Sequence, residues 1–218
     1  MPTPEAQLRG SGTTVLDFEG LQDGEAVEDF YNGGTGSSGS GPGANFGVSF
    51  SSNGLALIDS DAGGGGNFGG EPSPDTVLFF STGAATTMNV PGGFSAGFSF
   101  FYTAVNEPGE IVVYDGVDAT GNVLAVLDLP VTPTDGGDPT GEFSPFEPIG
   151  VTFSGTARSV DFGGTVNQIA FDNITLGSGT PGGGNAPLPV PAVTGFGTVV
   201  MLLSFLMIGV MIVTRRVN

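Results

Sequence analysis

The side chains of this 218-residue chain that could do chemistry are overwhelmingly carboxylates, with 22 Asp and Glu against four Lys and Arg and a formal charge of −18. The four basic residues are Arg9, Arg158, Arg215 and Arg216, so Lys is absent, as are His, Cys and Trp. Without His or Cys there is no imidazole base, thiolate nucleophile or Ser-His-Asp triad, and without Lys no Schiff base. Two kinds of carboxylate chemistry remain. Oxygen ligands can surround a hard cation such as Ca2+, and two carboxylates about 5 to 9.5 Å apart can hydrolyse a glycosidic bond. Most acids here stand beside turn glycines and no Trp offers a sugar platform, so the expectation is a protein that is not an enzyme. Asp59, Asp61, Glu71 and Asp75 surround a GGGG run without EF-hand spacing, and read as a solvated loop. The aromatic faces that could stack on a sugar are Phe30, Tyr31, Tyr102 and Tyr114. Phe30 and Tyr31 border a long polar loop and are the preferred ligand-binding pair, although most aromatics alternate at strand period and are expected in the core. Nucleic acid is excluded as a partner, because no basic stripe exists to neutralise phosphates.

The elements that must position these groups are strands. Apolar and polar residues alternate with period 2 in about eleven short stretches: 15–19, 46–50, 55–59, 76–80, 86–90, 94–102, 110–114, 122–129, 149–153, 158–162 and 167–176. The clearest, FSAGFSFFYT, sets Phe94, Ala96, Phe98, Phe100 and Tyr102 on one face. The stretch from Glu110 to Leu129 holds two β-rich runs joined by Asp115, Gly116, Asp118, Gly121 and Asn122, and predicts a hairpin. No run before Val193 has helical period. The pattern predicts an all-β fold, an antiparallel β-sandwich, with long polar loops at 32–45, 59–75 and 130–148. With no Cys for disulfides, the 18 Phe must supply most of the core.

The organisation along the chain is expected to be a disordered segment 1–12, a β-sandwich ectodomain 13–177, a Gly/Pro-rich spacer 178–192, a transmembrane helix 193–214 and a basic tail 215–218. From Val193 to Val213 the chain runs 21 residues without a charge, enough to span a hydrocarbon layer of roughly 30 Å as a helix. Arg215 and Arg216 follow as a membrane stop, and place the tail in the cytoplasm and the acidic domain outside. The first residues show no basic region or apolar stretch of a secretory leader, so an export signal is expected to precede the start given. The spacer ends in Ala186-Pro-Leu-Pro-Val-Pro-Ala192. This motif, the apolar helix and the terminal Arg pair together resemble a PEP-CTERM-type sorting signal. The resemblance implies that Pro187, Leu188, Pro189, Val190 and Pro191 form a motif read by an exosortase-like processing enzyme; the Glu of Pro-Glu-Pro is missing.

A second resemblance covers most of the ectodomain. The opening Val15-Leu-Asp-Phe-Glu-Gly20, the strand Asn45-Phe-Gly-Val-Ser-Phe50, the hairpin Val113-Tyr-Asp-Gly116 and the closing Ile169-Ala-Phe-Asp-Asn-Ile-Thr-Leu176 are similar to the jelly-roll domains found ahead of such signals, which are galactose-binding or carbohydrate-binding in type. The resemblance implies a non-catalytic cell-envelope or extracellular-matrix protein, with exopolysaccharide as the leading partner. A structural or adhesive protein without glycan affinity, and a carboxylate-dependent glycosidase, are the alternatives. It also implies one structural Ca2+ where the first and last strands meet, held by Glu19 and Asp172 with backbone carbonyls.

Overall fold

The computed structural model describes residues 12–132, 134 and 142–182. These form nine strands and no helix: β1 (Thr14–Leu16), β2 (Ser49–Phe50), β3 (Gly54–Ile58), β4 (Thr76–Phe80), β5 (Ala85–Thr103), β6 (Gly109–Tyr114), β7 (Val123–Leu129), β8 (Glu147–Gly164) and β9 (Ala170–Leu176). Every pairing between them is antiparallel. The expected hairpin is β6–β7, from Gly109↔Leu129 to Tyr114↔Val123. Two pairs of expected strands are single elements: 86–90 and 94–102 merge into β5, and 149–153 and 158–162 into β8. Pro91-Gly92-Gly93 and Ser154-Gly155-Thr156 fall in the gaps between the expected strands. Instead they bend two strands side by side, with register shifts between Asn89 and Ala96 and left-handed backbone at Gly93, Ala96 and Gly155.

That shared bend builds the architecture. Strand order is β3-β4-β9-β5-β8-β6-β7, with β1 on β9 and β2 on β5. The later half of β5 pairs with β9 and with the start of β8, whereas its first half pairs with β2 and the end of β8. The sheet therefore folds over on itself, and its two halves face each other as layers joined by strands that pass from one to the other. Phenylalanines fill the space between. Phe162, on the end of β8, lies 5.9 Å from Phe98 and 6.1 Å from Phe100 on the later half of β5, and 5.0 Å from Phe171 on β9, ring centre to ring centre. All four are fully buried, and each contributes roughly 1.5–3 kcal/mol relative to an exposed side chain.

A second, smaller apolar cluster lies on the other face of β3 and β4. In these strands Ala56, Leu78 and Phe80 point into the main core. Their neighbours Leu57 and Val77, in register with each other, join Phe68, Phe101, Phe143, Phe146 and Ala170. What covers this face is loop 59–75 laid against the segment around Phe143. Phe143 donates its N–H to the Asn67 carbonyl at 3.1 Å, and Gly69 donates to the Phe143 carbonyl at 3.3 Å.

Residues 178–182, expected as the start of the spacer, lie along the sheet: the Ser99 hydroxyl donates to the Ser178 carbonyl at 2.9 Å and Gly182 N–H to the Thr175 hydroxyl at 2.9 Å. Among the described residues no helix is long and apolar enough to cross a membrane. The motif Pro187 to Pro191, the apolar run 193–213, Arg215 and Arg216 lie outside the described residues, as does the segment 1–11.

Candidate functional site

Two features of the outer face of β3, β4 and β9 share one loop, 59–75. The first is a cleft of about 370 Å³, walled by Leu57 of β3, Phe79 of β4, Phe68 of the loop and Phe143, and edged by the amides of Asn67, Asn167 and Gln168. Its volume falls within the range of small-molecule sites. Phe79 and Phe143 are half-buried, so ring surface stays accessible, while Phe68 is buried and supports the wall. Asn67 is held by the neighbouring segment: its Oδ1 accepts the Glu142 N–H at 3.1 Å and its Nδ2 donates to Glu142 Oε2 at 3.4 Å. Gln168 Oε1 accepts from Asn106 Nδ2 at 3.2 Å, which leaves its NH2 group unspent. Asn167 is exposed, adopts φ 57°, a conformation Asn tolerates, and presents its amide at the rim.

The loop can wall the cleft because it is folded tightly on itself. Gly66 N–H donates to the Ile58 carbonyl at 2.8 Å. A Cβ on Gly66 would stand 2.7 Å from that same oxygen and run into the Phe68 ring, so the glycine is what permits Phe68 to lie there.

The second feature anchors the other end of the loop. Asp172 on β9 is fully buried and accepts the Ser73 N–H at 2.8 Å, the Ser73 hydroxyl at 2.7 Å and the Asn173 N–H at 2.6 Å. Glu19 Oε1 accepts the N–H groups of Asp75 and Thr76 at 3.0 and 2.9 Å, and its Oε2 accepts the Thr76 hydroxyl at 3.2 Å. Left-handed backbone flanks both acids, at Phe18 (φ 62°) and Asn173 (φ 47°). The turn at Phe18 also ends β1 at Leu16, short of the expected 15–19. Burial raises the Asp172 pKa to about 6; the hydrogen bonds from Ser73 and Asn173 oppose the rise and the Glu19 charge adds to it. Burial likewise raises Glu71 to about 7, helped by Asp59, Asp172 and Asp61, and lifts Asp59, beside Asp61, above the ordinary carboxylate range.

The structure thus brings Glu19 and Asp172 to the same loop, close enough for their charges to interact. Backbone and hydroxyl donors occupy most of their lone pairs, leaving about one acceptor position on Glu19 Oε2 and one on Asp172 Oδ1. Among the described residues no three carboxylates gather closely enough to hold a metal ion. A cation there would need its remaining ligands from backbone carbonyls or water.

Phe30 and Tyr31 are not the exposed platform expected of them. They are 8% and 3% exposed, and their rings meet edge to face at 5.1 Å. The Tyr31 hydroxyl accepts the Phe18 N–H at 2.6 Å and donates to Asp17 at 3.3 Å. Burial and the Asp17 charge keep it protonated. Loop 32–45 folds back over this pair: Glu25, itself buried, takes the N–H groups of Ser38 and Ser40 at 2.7 and 3.1 Å and that of Gln22 at 2.8 Å. Tyr102 is also buried, its hydroxyl donating to the Pro130 carbonyl at 3.0 Å.

Most of the cleft residues carry no local signal in the sequence. The one signal was Asn67-Phe68, an amide and an aromatic side by side in the glycine run GGGGNFGG; nothing in sequence joined them to Phe79, Phe143 or Gln168.

No protein-family model matches the chain, and no curated protein matches it. Among solved structures it is similar to a cleaved adhesin domain of Lys-gingipain, with 13% identity over 77% of this chain and 98% of that one and a TM-score of 0.44. It is similar also to a carbohydrate-binding module of a Cellvibrio mixtus lichenase in complex with cellotriose, with 14% identity, 57% and 86% coverage and a TM-score of 0.35. A third is a glycoside hydrolase family 43 arabinoxylan arabinofuranohydrolase from Bacillus subtilis, with 20% identity over 57% of this chain and a TM-score of 0.37. The chain spans about a quarter of that hydrolase's length, 24%.

Proposed function

We propose that this is a non-catalytic domain of the cell envelope or extracellular matrix, of jelly-roll type, that binds polysaccharide and is exported, held at the membrane and sorted through its C-terminal segment. The observation that carries the binding function is the cleft. Accessible Phe faces at Phe79 and Phe143 suit the C–H faces of pyranose rings, and the neighbouring amides offer both donors and acceptors to hydroxyls. Glycan-array binding by the detergent-solubilised full chain tests it. Retention of at least one polysaccharide, lost on Phe79→Ala, is the expected result; no retention across the array sinks the reading.

The sorting part rests on the tripartite tail of Pro motif, apolar run and Arg pair. Mass spectrometry of the protein from its native cells should find a C-terminus near Pro187 to Val193. An intact Asn218 would leave a plain membrane anchor.

A structural Ca2+ shared by Glu19 and Asp172 belongs to the same proposal. Five acids (Glu19, Asp59, Asp61, Glu71 and Asp172) interact here, and Arg158, the one basic residue among those described, lies elsewhere with its guanidinium donating to the Asp115 carbonyl at 3.0 Å. A cation binding only the folded state raises stability by mass action, so EDTA should lower Tm and Ca2+ restore it. An unchanged Tm ends the calcium proposal.

Glycoside hydrolysis is the second reading, favoured by the Glu71 pKa of about 7, which suits a general acid. Of the acids whose charges act on Glu71, Asp59 and Asp172 are buried and hydrogen-bonded to Ser60 and Ser73, out of reach of a sugar ring, which leaves exposed Asp61 as the one partner. For this reason the binding function is preferred.

A further inference from the structure

We infer that the cleft selects uncharged polysaccharide and rejects uronate-rich or sulfated chains; this rests on the polysaccharide-binding reading and adds the ligand's chemical class. Among the described residues the groups lining the cleft are phenyl rings, aliphatic surface and carboxamides, none of which carries charge. A carboxamide offers NH2 donors and a carbonyl acceptor together, which matches a sugar hydroxyl that both donates and accepts. Asn167 has both functions available, since its amide makes no hydrogen bond among the described residues, and Gln168 keeps its NH2 group after Oε1 is taken by Asn106. Asn67 differs: both ends of its amide are engaged by Glu142, so it braces the wall while Asn167 and Gln168 read hydroxyls.

The charge around the cleft decides against anions. Sugar carboxylates and sulfates are recognised chiefly by Arg and Lys, whose forked or point charges offset the cost of desolvating the anion. Among the described residues the cleft has neither, and Arg158 is committed to the β6–β7 turn through the Asp115 carbonyl. The charged groups that do border it are acids. Glu142 holds Asn67. Asp23 accepts the Ile58 N–H at 2.9 Å, and its Oδ2 comes within 3.3 Å of where a Cβ on Gly65 would stand. An anionic chain laid in the cleft meets the like charge of Glu142 beside Asn67 and of Asp23 beside Gly65, inside the roughly 8–10 Å over which charges act at physiological salt. A neutral chain meets none.

The test titrates the detergent-solubilised full chain with a neutral β-glucan, a neutral galactomannan, polygalacturonate and a sulfated galactan at physiological salt, by biolayer interferometry. At least one neutral polymer should bind, and neither anionic polymer should. Phe79→Ala should weaken neutral binding at least tenfold. Gln168→Ala and Asn167→Gly, both in the turn before β9 and the glycine compatible with the positive φ at 167, should weaken it severalfold with an unchanged far-UV spectrum, which keeps the test valid if Phe79→Ala unfolds the domain. Anionic binding as tight as neutral overturns the inference and leaves polysaccharide binding standing. Neutral binding that survives all three substitutions also overturns it, by placing the sugar elsewhere. Failure to bind any of the four, and every polymer on the array, overturns the polysaccharide reading itself.

Discussion

Replacing Asp172 by Asn should remove most of a pH dependence that the wild-type domain carries near neutrality. Asp172 is fully buried, and its pKa of about 6 stands against an ordinary value of 3.8. The native state therefore holds this proton over a range where the unfolded chain has lost it. Stability from this group is complete below pH 3.8 and is lost as pH rises through about 6. A gap of about two pKa units corresponds to about 3 kcal/mol, and for a domain of this size that is a fall in Tm of about 6–12 °C between pH 4 and 7.5. The introduced carboxamide would keep an oxygen for Ser73 but turn an NH2 group toward the Asn173 N–H, costing about 1–2 kcal/mol at every pH. Thermal unfolding followed by far-UV circular dichroism, in EDTA, should show wild type the more stable protein at pH 4 and the two converging or crossing by pH 7.5. Repulsion among the other acids acts in both proteins, so it is the difference between the curves that reports Asp172. Parallel curves over that range would refute the reasoning, because they would mean that Asp172 ionises in the native state as readily as in the unfolded chain.

Gly66→Ala should overpack the loop against the Ile58 carbonyl and the Phe68 ring, lowering stability by about 1–3 kcal/mol in urea denaturation. It should also weaken glycan binding, since Phe68 walls the cleft. Glu25→Ala should cost about 2 kcal/mol at pH 7 by stripping the acceptor from three N–H groups. Burial opposes ionisation of Glu25, but those hydrogen bonds outweigh it and hold its pKa below the ordinary 4.5. Its contribution is therefore present above pH 4.5 and lost as pH falls through the lower folded value, so the variant's deficit should shrink in acid. Gln168→Arg should add a cation to the cleft and bring measurable polygalacturonate binding in the same interferometry assay.

Much of the fold could be read from residue order because strand formation leaves a local trace. Period-2 alternation marked FSAGFSFFYT, and turn residues at Asp115, Gly116 and Gly121 marked the β6–β7 hairpin; side-chain direction along a strand depends only on sequence parity. The all-β class, the phenylalanine core and the exclusion of imidazole, thiol and amine chemistry follow from composition and spacing alone. The proximity of Glu19 and Asp172 was expected from the resemblance, and the β1–β9 pairing of Leu16 with Ile174 supplies it.

What only the tertiary structure decided is which groups are dry and which distant ones meet. Pro91-Gly92-Gly93 interrupts the alternation between two expected strands, yet the chain bends there without leaving the ladder because β8 bends beside it. Phe30 and Tyr31 border a polar loop, yet that loop closes over them once Glu25 gathers its N–H groups. Asp172 and Glu71 are ordinary acids in sequence, and burial and like charge from other segments move them toward neutrality. The cleft joins residues near positions 67, 79, 143 and 168, carried by separate segments of chain. Alternation assigns a side chain to a face, but whether that face lies under a loop or under water is set by long-range contacts, which no local pattern encodes.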